Sequence, residues 1–207
     1  MQTQKYTYST RELLVMAALA SLGGVSGTYI NTLGDAVQSV LGFAGATQWA
    51  AGLHTLWLVL AAVLVPKLGA GTFTGMLKGA VELLSGNSHG LLVVLIDIIA
   101  GILVDFGFLL LRRRDRLAGY LLSGSMAAAS NVFVFQLFAA IPSDTLAFQA
   151  LLLVAAVAAI SGLILSGYLA FVLVVCLPII VSEFIFRRKT NANTVKAFQI
   201  LAPWTPW

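Results

Sequence analysis

Charged residues and cysteines are scarce in this 207-residue chain. Only 10% of the residues are charged and 59% are hydrophobic, whereas roughly a quarter of the residues of a soluble domain are charged. This composition excludes an ordinary soluble domain and indicates a protein that crosses a membrane several times. The single cysteine, Cys176, lies within an apolar run, so neither a disulfide framework nor a cysteine-based metal site is available.

The sequence signatures of common enzyme classes are also missing. The chain has no GxGxxG after a strand, no Walker A motif, no HExxH and no pair of histidines at metal-binding spacing. We therefore expect neither an enzyme nor a bound cofactor or metal. Without an ATPase motif, active transport would need an ion gradient or an external motor subunit. The first dozen residues lack an apolar core followed by a cleavage site, so the first hydrophobic segment is expected to remain as a membrane span.

The hydrophobic segments predict an all-α polytopic membrane protein with six transmembrane helices, because a helix needs about 20 apolar residues to cross the bilayer core. Residues 1–189 are expected to form a single transmembrane domain, followed by a cytoplasmic tail at 190–207. Residues 31–46, between the first two spans, are expected to form an outer lid or re-entrant segment, with an interfacial amphipathic stretch as the alternative. The predicted spans lie near residues 11–30, 47–66, 71–86, 90–111, 118–141 and 147–186.

The last apolar segment is long enough for two helices, with a break at Gly162, Ser166 and Gly167, and seven spans would then result. The positions of the basic residues argue against this. With six spans all the basic clusters fall on one side, the opposite loops have no Lys or Arg, and both termini are predicted to be cytoplasmic. The net charge of +4 is thus explained by topology and not by nucleic-acid binding. The clustered basic residues are Lys5, Arg11, Lys67, Arg112, Arg113, Arg114, Arg116, Arg187, Arg188 and Lys189.

Three ionisable residues flank a polar, glycine-bounded turn and are predicted to lie within spans. Lys78 and Glu82 lie one helical turn apart, and Asp97 follows about two turns into the next helix. Lys78 can pair with Asp97 between helices or with Glu82 at i+4. Either pairing leaves one carboxylate without a protein cation, which favours a site for a cationic or amine-bearing ligand. The alternative is a cluster that only fixes helix register. Asp105 is interpreted as structural, reached by the basic side chains that follow it.

Other polar and aromatic residues within the spans are weaker candidates. His54 and Trp57 share a face of the second span, where Trp57 would stack on a planar ligand or pack in the core. Asn131 and Gln136 in the fifth span would either tie helices together or face a cavity. The first span carries small residues that permit close helix contact, within the chain or with another subunit. These are Ala17, Ala20, Ser21 and Gly24.

The stretch from Val81 to Gly90 resembles the VExxxGNxxG motif of YkoE-type S components, the substrate-binding subunits of energy-coupling-factor (ECF) transporters associated with thiamine or its hydroxymethylpyrimidine precursor. The resemblance extends over about residues 50–165. Glu82 and Asn87 match the motif, and Trp57 corresponds to a tryptophan of the family. The chain departs from the pattern in having His54 in place of a tyrosine, Gln136 in place of an acid, and Lys78.

The resemblance implies a subunit in the plasma membrane of a prokaryote that binds the vitamin from outside. A membrane coupling subunit, docked on the small-residue strip of the first span, and two cytoplasmic ATPases would then drive delivery. The alternative is a self-sufficient proton- or ion-coupled porter that uses Lys78, Glu82 and Asp97. The candidate substrate-binding residues are Glu82, Asn87, His89, Trp57, His54, Lys78, Asp97, Asn131 and Gln136; the candidate partner-binding residues are Ala17, Ala20, Ser21 and Gly24.

Overall fold

The computed structural model describes residues 8–41, 48–87, 89–111, 116–139 and 144–176, and within these ranges all regular structure is helical. The all-α class is therefore confirmed. A short 3₁₀ turn, Gln48–Ala50, precedes the second helix. The helices are α1 (Thr10–Leu41), α2 (Ala51–Leu64), α3 (Ala70–Leu84), α4 (Leu92–Leu111), α5 (Leu117–Ala139) and α6 (Thr145–Ser161).

Four helical segments in the described ranges are long and apolar enough to cross a membrane. Helices α2 and α3 have 14 and 15 residues and are shorter than the usual span of about 20. The count of six spans and the cytoplasmic termini stay predictions. The four long segments are Thr10–Val40, Leu92–Leu111, Leu117–Phe138 and Thr145–Val175.

The expectation of a lid or re-entrant segment at 31–46 is wrong for its first eleven residues. Helix α1 continues without interruption to Leu41. Two of its hydroxyl groups donate hydrogen bonds within the helix: Thr32 Oγ1 to the Thr28 carbonyl at 2.9 Å, and Ser39 Oγ to the Ala36 carbonyl at 2.7 Å. The remaining residues, 42–47, lie outside the described ranges.

The glycines near residue 162 support close packing and do not break the last helix. The chain passes from α6 into a π-helical segment, Gly162–Tyr168, and then through a short α turn, Leu169–Phe171, into a second π segment, Val172–Cys176. A Cβ at Gly167 would lie 2.6 Å from the Tyr120 carbonyl oxygen. Of the described residues, those up to Ala170 belong to one compact unit and those from Phe171 to Cys176 to a second. The end of the predicted sixth span and the tail lie outside the described ranges.

Helices α3 and α4 approach each other along a glycine face. Gly71, Gly75 and Gly79 occur at four-residue intervals on α3, and a Cβ on any of them would overlap backbone atoms of α4. At Gly79, for example, it would lie 2.7 Å from the Cα of Val94. Small residues at such intervals let two helix backbones come together in a membrane. This contact brings the side chains of Lys78 and Asp97 within bonding distance.

Asp105 of α4 caps the beginning of α3. Its carboxylate accepts hydrogen bonds from the Gly71 amide at 3.1 Å, the Thr72 amide at 2.8 Å and the Thr72 hydroxyl at 2.8 Å. The first amides of a helix have no partner within the helix, so a buried carboxylate there satisfies them. Asp105 is thus structural, as expected, but through α3. Residues 112–115, which include three of the arginines expected to reach it, lie outside the described ranges.

A salt bridge joins the beginning of α1 to the turn between α2 and α3. Lys67 Nζ lies 2.6 Å from Glu12 Oε2, and both side chains are partly exposed. Glu12 also accepts a hydrogen bond from the Ser9 amide at 2.6 Å, while the Glu12 amide donates to Ser9 Oγ at 3.4 Å, as in a capping box. This ion pair lies far from the cavity described below.

Replacing Asp105 with alanine should lower stability more than replacing Asp144, which is exposed and caps α6 through one bond from the Ala147 amide. Asp144→Ala should cost about 1 kcal/mol. Asp105→Ala should cost about 2–4 kcal/mol, because it leaves two amides and a hydroxyl in a buried site without an acceptor. Thermal unfolding in detergent compares the two variants, and equal shifts would contradict the capping role of Asp105.

Candidate functional site

A cavity of ≈ 410 Å³ lies where five helix ends and the carboxyl-terminal part of α1 meet. Its size falls within the range of small-molecule sites, about 300–1,000 Å³. The carboxyl-terminal parts of α1 and α5 and the first part of α6 form its walls, and the polar network at the α3–α4 turn forms its floor. The lining residues are Ile30, Asn31, Gly34, Asp35, Gln38, Gln48, Ala51, His54, Glu82, His89, Val93, Ile96, Asp97, Asn131, Val132, Phe135, Gln136, Ala147, Ala150, Leu151 and Val154.

The floor rests on a buried network of one ammonium and two carboxylates. Lys78 Nζ lies 2.8 Å from Asp97 Oδ1 and 2.9 Å from Asp97 Oδ2. It also donates to Glu82 Oε1. Lys78 and Glu82 are both 0% exposed. Both pairings that the sequence left open for Lys78 are therefore made at once, and with both carboxylates ionised the network carries one net negative charge.

Glu82 is tied to the turn that follows α3. Asn87 Nδ2 donates to Glu82 Oε2 at 2.9 Å, and the amide of His89 donates to Asn87 Oδ1 at 2.9 Å. The amide of Asn87 donates to the Glu82 carbonyl at 3.2 Å, as in a Schellman motif. Gly86, at φ +82°, supplies the left-handed residue that this motif requires. The carboxylate of Glu82 thus fixes the position of the α3–α4 turn.

His54 lies between Glu82 and the open part of the cavity. Its Nδ1 is 3.8 Å from Glu82 Oε1, and its side chain is 13% exposed. Glu82 belongs to the floor yet has no accessible surface, because His54, Asn87 and the backbone of α1 at Gly27 cover it. The charge of Glu82 can still attract a cation in the cavity without direct contact, because Coulomb attraction acts beyond contact distance. Direct contact with Glu82 would require the His54 side chain to move aside.

The structure brings six of the nine candidate binding residues to the cavity surface. Lys78 lies beneath the floor, and Asn87 lies behind Glu82 and is buried. Trp57 does not line the cavity. It packs on α1, where a Cβ at Gly23 would lie 2.9 Å from the Trp57 Cγ. Trp57 lies about one turn deeper than His54, and core packing accounts for it. The six residues that line the cavity are His54, Glu82, His89, Asp97, Asn131 and Gln136.

The wall formed by α5 combines an amide with an aromatic pair. Asn131 Oδ1 is buried and has no hydrogen-bond partner in the described part of the chain. The rings of Phe135 and His89 meet edge to face with centroids 5.3 Å apart. Asn131 and Gln136 therefore both face the cavity, which is one of the two roles expected for them. An unpartnered buried acceptor favours a ligand that brings a donor.

Sequence reasoning missed the contribution of α1. Asn31, Asp35 and Gln38 line one wall, and their spacing of four and three residues places them on one helical face. This signal would have been visible had residues 31–41 been interpreted as helix. Gly27 was also missed. A Cβ there would overlap Oε1 of Glu82, so glycine at this position makes room for the carboxylate.

The small-residue strip of α1 is divided between two environments. Ala20 and Gly24 are buried within the chain, and a Cβ at Gly24 would lie 2.6 Å from the Val81 Cβ of α3. They are therefore not accessible to another subunit. Ala17 and Ser21 are exposed, so only this half of the strip is open to a partner.

The family described as "ABC-type cobalt transport system, permease component" matches residues 11–130, more than half of the chain. The chain belongs to this family. It is therefore a multi-pass membrane protein of a transporter family and not a member of an enzyme class, as the sequence predicted. No curated protein matches this permease-family chain.

The permease-family chain is also similar to a solved structure described as "Crystal structure of an S-component of ECF transporter". The two share 22% sequence identity with a TM-score of 0.72, over 95% of this chain and 98% of the other. This similarity shows the S-component fold, so the resemblance noted in the sequence is confirmed at the level of the fold. The YkoE type and the thiamine ligand stay predictions.

Substituting Gly27 should impair ligand binding more than substituting Gly23, although both glycines lie on α1 and contact a side chain of another helix. In Gly27→Ala the new methyl group would displace the Glu82 carboxylate, so affinity should fall about 10-fold or more, the value of a hydrogen bond to a charged group. In Gly23→Ala the methyl group presses on Trp57, which should lower stability and leave affinity nearly unchanged. Equilibrium binding and thermal unfolding of both variants measure the two effects. A loss of affinity in Gly23→Ala with unchanged affinity in Gly27→Ala would instead indicate that Trp57 contributes to the binding site.

Proposed function

We propose that the chain is the substrate-binding S component of an ECF-type transporter in a prokaryotic plasma membrane, and that it binds thiamine or its hydroxymethylpyrimidine precursor. The observation that carries this proposal is the bonding of one ammonium, Lys78, to two carboxylates, Glu82 and Asp97, at the floor of a cavity of ligand size. With both carboxylates ionised, the floor carries one net negative charge. Asp35 adds a carboxylate to the wall, and the described lining includes no Lys or Arg. Such a site attracts cations and disfavours anions.

The chemistry of thiamine matches the groups on the walls. Thiamine carries one positive charge on its thiazolium ring and a primary amine on its pyrimidine ring. The negative floor complements the charge, the unpartnered Oδ1 of Asn131 can accept from the amine, and the pair of Phe135 and His89 offers an aromatic surface for a ring. The isolated pyrimidine retains the amine and the ring and lacks the charge.

The family description names cobalt, yet the site favours an organic ligand. No group of three or more His, Cys, Asp or Glu side chains in the described ranges is arranged to hold a metal ion. Both carboxylates of the floor are already engaged by Lys78, whose ammonium would repel a divalent cation. We therefore assign the cavity to an organic ligand, and Co²⁺ serves as a comparison in the binding experiment.

The distribution of charge supports binding from outside. The cavity lies at the end of the fold opposite Lys67 and Arg116, and by the positive-inside rule this supports a mouth on the outer face. With no ATPase motif in the chain, delivery would depend on a membrane coupling subunit and two cytoplasmic ATPases. The exposed small residues Ala17 and Ser21 are the proposed contact with the coupling subunit.

The second candidate function is a self-sufficient proton- or ion-coupled porter. It is favoured by the direct bonding of three buried ionisable residues, since such networks form ion pathways in membrane proteins. The two functions differ in reconstituted liposomes. A porter alone should accumulate substrate under a pH gradient, whereas an S component should bind substrate and transport it only with its partner subunits and ATP.

Equilibrium binding to the purified chain in detergent tests the proposal, with tryptophan fluorescence as the signal and thiamine, hydroxymethylpyrimidine and Co²⁺ as separate ligands. Saturable binding of thiamine or the pyrimidine at submicromolar concentration is expected. Binding of Co²⁺ without binding of either organic ligand would overturn the assignment of the cavity to an organic ligand. Binding of none of the three by a monodisperse sample would overturn the proposed function.

Glu82→Gln should weaken thiamine binding by about 1.5–3 kcal/mol, because it removes the negative charge that attracts the ligand while keeping the shape of the side chain. Glu12→Gln is the matched control. Glu12 also belongs to an ion pair, but it lies 18 residues along α1 from the nearest lining residue, about 27 Å of helix. Its substitution should leave affinity unchanged. Equal losses in the two variants would show that Glu82 acts through folding.

A further inference from the structure

We propose that Lys78 and Asp97 set the charge of the cavity floor, so that the site selects ligands carrying one positive charge. Both are positioning residues, which influence the ligand through the charge of the network. This inference deepens the proposed function and rests on it, because it concerns the ligand class of the same site. It assigns separate roles to three residues that the sequence could only group together.

Lys78 uses its whole hydrogen-bonding capacity within the chain. An ammonium group has three N–H donors and no acceptor. Lys78 Nζ bonds both oxygens of Asp97 and one oxygen of Glu82, so all three donors are used within the chain. Its side chain is 0% exposed and does not line the cavity. Lys78 therefore serves as an internal counter-ion.

The unbalanced negative charge of the network is not shared equally by its two carboxylates. Asp97 holds Lys78 through both of its oxygens, so its charge is largely neutralised. Glu82 shares only Oε1 with Lys78, and its Oε2 is held by the neutral amide of Asn87. The imidazole of His54 is 3.8 Å away. The surplus negative charge is therefore centred on Glu82, the member of the network nearest to His54 and the turn.

The charge of the network also determines which ligand charge is energetically favoured. A buried charge without a counter-ion is costly, and its removal from water is compensated only by an opposite charge nearby. A ligand with one positive charge neutralises the floor. A neutral ligand leaves the charge unbalanced, and a ligand with two positive charges leaves an excess of its own. The balance of one ammonium and two carboxylates thus favours a monocation.

The experiment compares thiamine with neutral hydroxymethylpyrimidine in four proteins: the wild type, Asp97→Asn, Glu82→Gln and the double variant Lys78→Met/Asp97→Asn. Asp97→Asn makes the network neutral, although Glu82 is still present. Its affinity for thiamine should fall about 10-fold or more, and its affinity for the pyrimidine should change much less. The double variant restores one net negative charge and should recover most of the affinity for thiamine, because the effects of two residues in direct contact do not add.

The ratio of the two affinities separates the charge from a structural role, because a distorted cavity would weaken both ligands together. If Asp97→Asn does not fold, the double variant decides alone. It has no unpaired lysine in the interior, and loss of thiamine binding in it would overturn the inference. An unchanged ratio in Asp97→Asn would also overturn it while leaving the proposed function intact. Failure of the wild type to bind either ligand would overturn the proposed function, and this inference with it. Glu12→Gln again serves as the control for loss of a carboxylate elsewhere.

Discussion

The burial of the Lys78 ammonium between α3 and α4 is the constraint on which the rest of the site depends. Insertion scales give a cost of roughly 3 kcal/mol for each ion at the centre of a transmembrane helix. The cost is offset here because the ammonium makes three bonds to two carboxylates. Those bonds require the two helix backbones to lie close together, which Gly75 and Gly79 permit. Helix α3 is less apolar than α2 and α4, and its polar residues Lys78 and Glu82 make it part of the site.

The network also determines the local structure around it. Glu82 holds Asn87, Asn87 holds the amide of His89, and Gly86 provides the left-handed turn between them. A change at the carboxylate therefore reaches His89, which lines the cavity, through two hydrogen bonds. Gly27 has a complementary effect from α1, since any side chain there would occupy the position of the Glu82 carboxylate. The Glu82 carboxylate is thus held both by the hydrogen bond from Asn87 and by the close packing of Gly27 of α1.

The part of the site that could be predicted from the sequence is the part encoded locally. Lys78 and Asp97 are 19 residues apart, and counting helical turns away from a single tight turn places them at the same depth. No comparable rule fixes the rotation of one helix against another. For this reason Trp57 was expected beside a ligand although it packs on Gly23, and all four small residues of α1 were expected on one surface although Ala20 and Gly24 are buried. The wall from α1 was missed because residues 31–46 were expected to form a lid or re-entrant segment where the helix continues to Leu41.

The arrangement of titratable groups favours a binding subunit over an ion relay. A relay needs groups that can exchange protons in series across the membrane. Below Asp97, the next carboxylate on α4 is Asp105, eight residues away and about 12 Å along the helix. Asp105 is held by the first turn of α3 through three hydrogen bonds, and the described residues between the two carboxylates on α4 include no other titratable side chain. The network therefore ends at the cavity floor, where its charge can act on a ligand but has no described path to the opposite side.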